Sequence, residues 1–154
     1  YGCSRDTGTQ WHSGIDLAAA VGTELKAIYS GKILNIPSSI RDLKPTDTNY
    51  KKDLGNYIIV KSDGFSVKYC HLSQIDVALG DTIELGQVLG KTGKSGNAFD
   101  VPNKHLHLEV STDHFGSNNN KVDPEPYLKT KYKKNGTVGT PSENPNNSDH
   151  SKCP

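Results

Sequence analysis

Polar and apolar residues alternate most strictly late in the chain, over Lys104-His105-Leu106-His107-Leu108-Glu109-Val110. Successive side chains of a β-strand point to opposite faces. The stretch therefore predicts a strand that turns Leu106, Leu108 and Val110 to a core and groups His105, His107 and Glu109 on the other face. The same period recurs upstream. Asn56-Tyr57-Ile58-Ile59-Val60-Lys61 and Phe65-Ser66-Val67-Lys68-Tyr69-Cys70-His71-Leu72 flank a Ser62-Asp63-Gly64 turn, which predicts a hairpin. Regular alternation in its second strand places Phe65, Val67, Tyr69 and His71 on one face, with Cys70 and Leu72 on the other. Another hairpin is expected from Leu25 to Ile36 around Ser30-Gly31, and Ile83–Leu85 and Val88–Gly90 read as short strands around Gly86-Gln87.

Elsewhere the pattern weakens. His12 to Leu17 alternates loosely and contains Gly14, which predicts a loop running into a strand. Residues 37–55 are polar and hold Pro37 and Pro45, so a long loop is expected, of the kind that lines a site or moves. From about Thr130 onward Lys, Asn, Gly, Pro and Ser dominate without apolar periodicity, which predicts a folded domain over 1–129 and a disordered polar tail over 130–154. Short strands punctuated by turn residues make this an all-β chain built of antiparallel sheets.

The totals narrow the function classes. At 154 residues the chain has the size of one domain, and its 32% hydrophobic content is diluted by the polar tail. Eighteen basic against seventeen acidic residues leave a formal charge of +1, which gives no electrostatic case for nucleic acid. No apolar run approaches the roughly 18 residues of a membrane span. The three cysteines allow a Cys3–Cys153 bridge tying the ends together in an oxidising compartment, with Cys70 left as a small core residue; three unpaired thiols fit equally well.

Two imidazoles one residue apart on a strand face are held at a fixed separation, which suits a metal. A catalytic zinc site takes three protein ligands and keeps one position open, so a third ligand is expected upstream, where His12-Ser13-Gly14-Ile15-Asp16 offers a His and a carboxylate. Taken alone, His12 and Asp16 would read as a surface hydrogen bond. Together with the later pair they read as ligands, although strand geometry does not decide which of His105 and His107 binds. Glu109 shares their face and is a candidate partner for a ligand ring. Gly93-Lys94-Ser95 fails as a phosphate-binding loop, because position 88 is Val where that motif needs Gly.

His12-Ser13-Gly14-Ile15-Asp16-Leu17, the Gly22-Thr23 run, Tyr69-Cys70-His71-Leu72-Ser73, Gly80-Asp81 through Gly86-Gln87-Val88-Leu89-Gly90, and His105-Leu106-His107 with Glu109 together resemble the M23 peptidases. These are the lysostaphin-like zinc endopeptidases that cut peptide cross-links in bacterial cell walls. The resemblance covers residues 11–128 and implies a lysostaphin-like fold of antiparallel sheets forming a substrate groove with long loops. It also implies one Zn2+ per chain on His12, Asp16 and His107, with His71 and His105 assisting catalysis. The implied substrate is peptidoglycan peptide, met as a monomer in a secreted or periplasmic, cell-envelope setting. Residues 99–104, before His105, replace the short Gly-Pro segment usual in the family, which bears on bond preference and leaves the metal site intact.

Two other classes compete. One is a non-catalytic module of the same fold that binds cell wall or regulates a hydrolase, which has no need of a complete ligand set. The other is a lipoyl-type carrier suggested by Gly80–Gly90, which gives the histidines no purpose.

Overall fold

The computed structural model of the chain describes residues 1–5, 10–40, 53–115, 120–128, 133–134 and 137–138. Its strands are β1 (Gly2–Arg5), β2 (Gln10–His12), β3 (Ile15–Ala18), β4 (Glu24–Lys26), β5 (Gly31–Asn35), β6 (Asn56–Lys61), β7 (Ser66–Ile75), β8 (Thr82–Ile83), β9 (Val88–Thr92), β10 (His105–Ser111), β11 (Lys121–Val122), β12 (Lys133–Lys134) and β13 (Thr137–Val138). The fold is all-β, as expected, and the pairing throughout is antiparallel.

The main sheet runs β11-β10-β7-β6-β5-β8, with β3 also on β10 and β9 joining β7 to β4. Alternation explains its core. Leu106, Leu108 and Val110 from β10 meet Val67, Tyr69 and Leu72 from β7, Ile58 and Val60 from β6, and Ile15 and Ile33 from β3 and β5. Most of these side chains are almost fully excluded from water, and each such residue contributes roughly 1.5–3 kcal/mol of apolar transfer. The Tyr69 hydroxyl accepts a hydrogen bond from the Ile28 backbone N–H at 3.1 Å, so the one polar atom this ring brings into the core is paired.

The expected hairpin of β6 and β7 forms around Gly64, whose φ of +77° suits a residue without a side chain. The hairpin expected over Leu25–Ile36 does not. β4 pairs with β9, while β5 pairs with β6 and β8, so Ser30-Gly31 is a corner between two pairings. The alternation expected for β7 also fails at one residue. His71 has a φ of +65°, and β7 changes partner there, from β10 over Ser66–Cys70 to β9 over Leu72–Ile75. The irregularity returns Leu72 to the core beside Val67 and Tyr69, and His71 leaves the core face on which regular alternation had placed it.

Cys70 is a buried free thiol, whereas Cys153 and the bridge envisaged for it lie outside the described residues. The same holds for residues 41–52 of the long loop and for the tail apart from β12 and β13.

Candidate metal centre and its histidines

Register brings the predicted residues together. His107, near the middle of β10, stands opposite Asp16 of β3 on one side and Cys70 of β7 on the other, so all three share the face away from the core. His12 ends β2, and the Ser13-Gly14 break before β3 folds its ring back to a centroid distance of 4.9 Å from His107. Gly14 is required by this packing. A Cβ there would lie 2.3 Å from the Leu108 carbonyl oxygen and 2.8 Å from His107 Cε1.

Three donor atoms converge. His12 Nε2 lies 3.1 Å from Asp16 Oδ1 and 3.1 Å from His107 Nδ1, and His107 Nδ1 lies 2.8 Å from Asp16 Oδ1. Among the described residues this is a group of three able to hold a metal ion. His12 and His107 are buried, while the Asp16 side chain keeps a third of its exposure, so the centre is open on one side. His105, at 3.7 Å from the same carboxylate oxygen, stays outside the triangle. The choice between His105 and His107 that strand geometry left open thus falls geometrically on His107 for the triangle.

Charge is arranged around His107. Burial alone would raise the Asp16 pKa, but hydrogen bonds and charge from His107 and His12 outweigh it and hold the carboxyl well below its ordinary range. Burial would lower the His107 pKa, yet Asp16 and Glu109 on its two nitrogens raise it. The same converging negative charge favours a divalent cation. Glu109, fully buried, receives Ser13 Oγ–H at 2.5 Å and Lys121 Nζ at 2.8 Å, and its Oε1 is 3.4 Å from His107 Nε2. Burial pushes Glu109 up, and His107 with Lys121 brings it net down to about 2, so it is an anion at neutral pH. Ser13 and Lys121 carried no signal in the sequence. Their role depends on a carboxylate 96 positions from Ser13 and on the β10–β11 pairing.

His71 and His105 flank the triangle, their rings edge to face at 5.1 Å. His71 Nδ1 lies 3.0 Å from the Ser95 carbonyl and His105 Nδ1 lies 2.9 Å from the Asn103 carbonyl. A carbonyl only accepts, so both Nδ1 atoms carry a proton, and in the neutral form of each ring Nε2 keeps the lone pair. Burial, followed by the charge of His107 and His105, pushes the His71 pKa down to about 4, which keeps this ring neutral at pH 7. Beside Ser95 opens a cavity of about 240 Å³ walled by Val21, Ile40, Leu72 and Phe99.

A model of peptidase family M23 matches residues 10–124, and the chain belongs to that family. It is 37% identical over 136 residues to lysostaphin of Staphylococcus simulans, covering 86% of this chain and 24% of that protein. It is 38% identical over 121 residues to the glycyl-glycine endopeptidase ALE-1 of Staphylococcus capitis, covering 77% and 29%. The chain thus spans about a quarter of the length of these relatives. Among solved structures, the catalytic domain of the Staphylococcus simulans lysostaphin superposes with a TM-score of 0.62 at 31% identity, covering 81% of this chain and 83% of that one. This likeness, like the antiparallel sheet itself, bears out the lysostaphin-like fold read from the sequence.

Proposed function

We propose that the chain is a zinc-dependent endopeptidase that hydrolyses peptide bonds in bacterial peptidoglycan, with His12, Asp16 and His107 holding one zinc ion and His71 and His105 acting on protons. The observation that carries this reading is the donor triangle of His12 Nε2, Asp16 Oδ1 and His107 Nδ1, with edges of 2.8 to 3.1 Å. Tetrahedral zinc with ligands at 2.0–2.1 Å sets neighbouring donors about 3.3 Å apart, so the three atoms fit one face of its coordination. Two imidazoles and one carboxylate are also a donor set of the catalytic zinc type.

The chemistry supplied by zinc, when bound, is Lewis acidity, which makes water a stronger acid near neutral pH and polarises a scissile carbonyl. The remaining steps belong to the chain. One of the two rings, His71 or His105, accepts a single proton of the attacking water on its Nε2 lone pair, each ring being fixed by its Nδ1–H bond to a carbonyl. The ring protonated in this way donates a hydrogen bond to the oxyanion and then gives its proton to the leaving amine. Glu109 holds His107 from behind, and Lys121 and Ser13 hold Glu109. Peptidoglycan as the substrate is supported by a further relative, the peptidoglycan DD-endopeptidase ShyC of Vibrio cholerae, 30% identical over 99 residues, and it implies work outside the cytoplasm, in the cell envelope or beyond it. The reading takes the acting unit to be a monomer, supported by His12, Asp16 and His107 all coming from one chain.

Incubating the zinc-loaded chain with isolated peptidoglycan, with and without a chelator, and analysing released fragments by mass spectrometry tests the proposal. Chelator-sensitive release of peptide fragments is expected. Zinc-loaded protein that binds the wall and releases nothing would favour the non-catalytic module.

A further inference from the structure

Both hydrogen bonds that orient the non-ligand histidines come from a single loop, residues 93–104 between β9 and β10. Its near end offers the Ser95 carbonyl to His71, and its far end offers the Asn103 carbonyl to His105. The near end is anchored by the neighbouring segment. Ser95 Oγ donates to the Leu72 carbonyl at 2.9 Å and accepts the Asn56 N–H at 2.9 Å, and Asn97 N–H donates to the Asp53 carbonyl at 2.8 Å. Gly96, at a φ of +67°, packs so closely that a Cβ would meet the Asp53 oxygen at 2.3 Å.

The far end has a different anchor. Lys104 Nζ donates to the carbonyls of Val101 at 2.5 Å, Phe99 at 2.9 Å and Ala98 at 3.4 Å. An ammonium has three N–H groups and accepts nothing, so its hydrogen-bonding capacity is spent on its own loop. Three carbonyl oxygens aimed at one point repel each other unless a cation stands among them. At the same time the Lys104 backbone carbonyl accepts the N–H of Ala19, next to β3, at 3.2 Å. Asn103 lies inside the loop that this staple closes, two residues before β10.

We infer that Lys104 is a positioning residue for the reaction: its ammonium closes the 98–104 loop, sets the Asn103 carbonyl, and so keeps the His105 proton on Nδ1 and the Nε2 lone pair facing the centre. The inference rests on the proposed peptidase reading for its catalytic consequence, while the tautomer can be read without substrate.

The test uses the full chain with 15N-labelled histidine, zinc-loaded, at about pH 8, where ordinary imidazoles are neutral. Two-bond 1H–15N spectra of the wild type are expected to show His71 and His105 both protonated on Nδ1. In Lys104→Met the His105 signals shift toward a mixture of tautomers and those of His71 stay. Turnover on peptidoglycan then falls at least about tenfold, within what a positioned base contributes, with KM and zinc content unchanged. Lys104→Gln keeps two of the three donors and is expected to fall between; it serves if Lys104→Met does not fold. A wild-type His105 protonated on Nε2, or variants with unchanged His105 signals and turnover, overturns the inference. Absence of cleavage by the zinc-loaded wild type counts against the peptidase reading and is seen separately from either tautomer result.

Discussion

Both ring nitrogens of His107 are engaged, Nδ1 with His12 and Asp16 and Nε2 with Glu109, so the ring has no freedom to rotate without breaking contacts on both sides. Gly14 is what gives it room. A methyl at Gly14 would stand 2.9 Å from His107 Nε2 and 2.3 Å from the Leu108 carbonyl, and backbone on one side leaves the imidazole as the group that must move. Gly14→Ala is therefore expected to weaken zinc binding at least about tenfold, the scale on which misoriented ligands lose affinity. Competition with a chromogenic chelator measures it. Wild-type affinity in that variant would show that His107 is not held as described.

At the scale of elements, β10 carries the site on one face and the core on the other, so stability and function meet in one strand. Leu108 is 1% exposed and pairs with Ile15 across from β3. Leu108→Ala should cost about 2–5 kcal/mol in denaturant unfolding, from lost transfer energy plus the cavity left behind. A cost below about 1 kcal/mol would mean that the two faces are less tightly joined. β10 and the β6–β7 hairpin were legible in the sequence because period two and a short Asp-Gly turn are local signals. The partners of β4 and β5 were not, because β4 pairs with β9, far along the chain, and neither residue type nor turn composition encodes that choice. His71 was legible as a candidate while its face was not. A single left-handed residue inverts the alternation, and although His takes such a φ more often than most residues, it does so too rarely for the sequence to announce it at one position. The carbonyls of Ser95 and Asn103 were invisible for a simpler reason: every residue has one.

At the scale of the molecule, the proposed metal ligands tie together segments 95 positions apart, His12 from β2 and His107 from β10. An ion that binds the folded chain alone stabilises it by mass action, about 2.7 kcal/mol at a hundredfold excess over Kd. Thermal unfolding is expected several degrees lower after chelation and to recover on adding zinc. The gain should shrink as pH falls, beginning above the ordinary imidazole value because the His107 pKa is raised, since protons compete for the imidazole ligands. A Tm indifferent to zinc at neutral pH would contradict the site. Residue type and order pointed to His12, Asp16 and one of His105 and His107, and only the family resemblance chose His107, whereas the closure of β3 onto β10 that makes the three proposed ligands a triangle is a property of the assembled sheet.

The central claim is a division of labour on one strand, with His107 holding zinc and His105 moving protons. Zinc content and turnover measured side by side in His107→Ala and His105→Ala test it most directly. His107→Ala is expected to lose zinc and activity together. His105→Ala is expected to keep one zinc per chain and lose turnover by about 10²–10⁴-fold. Zinc lost from His105→Ala and retained by His107→Ala would contradict the account.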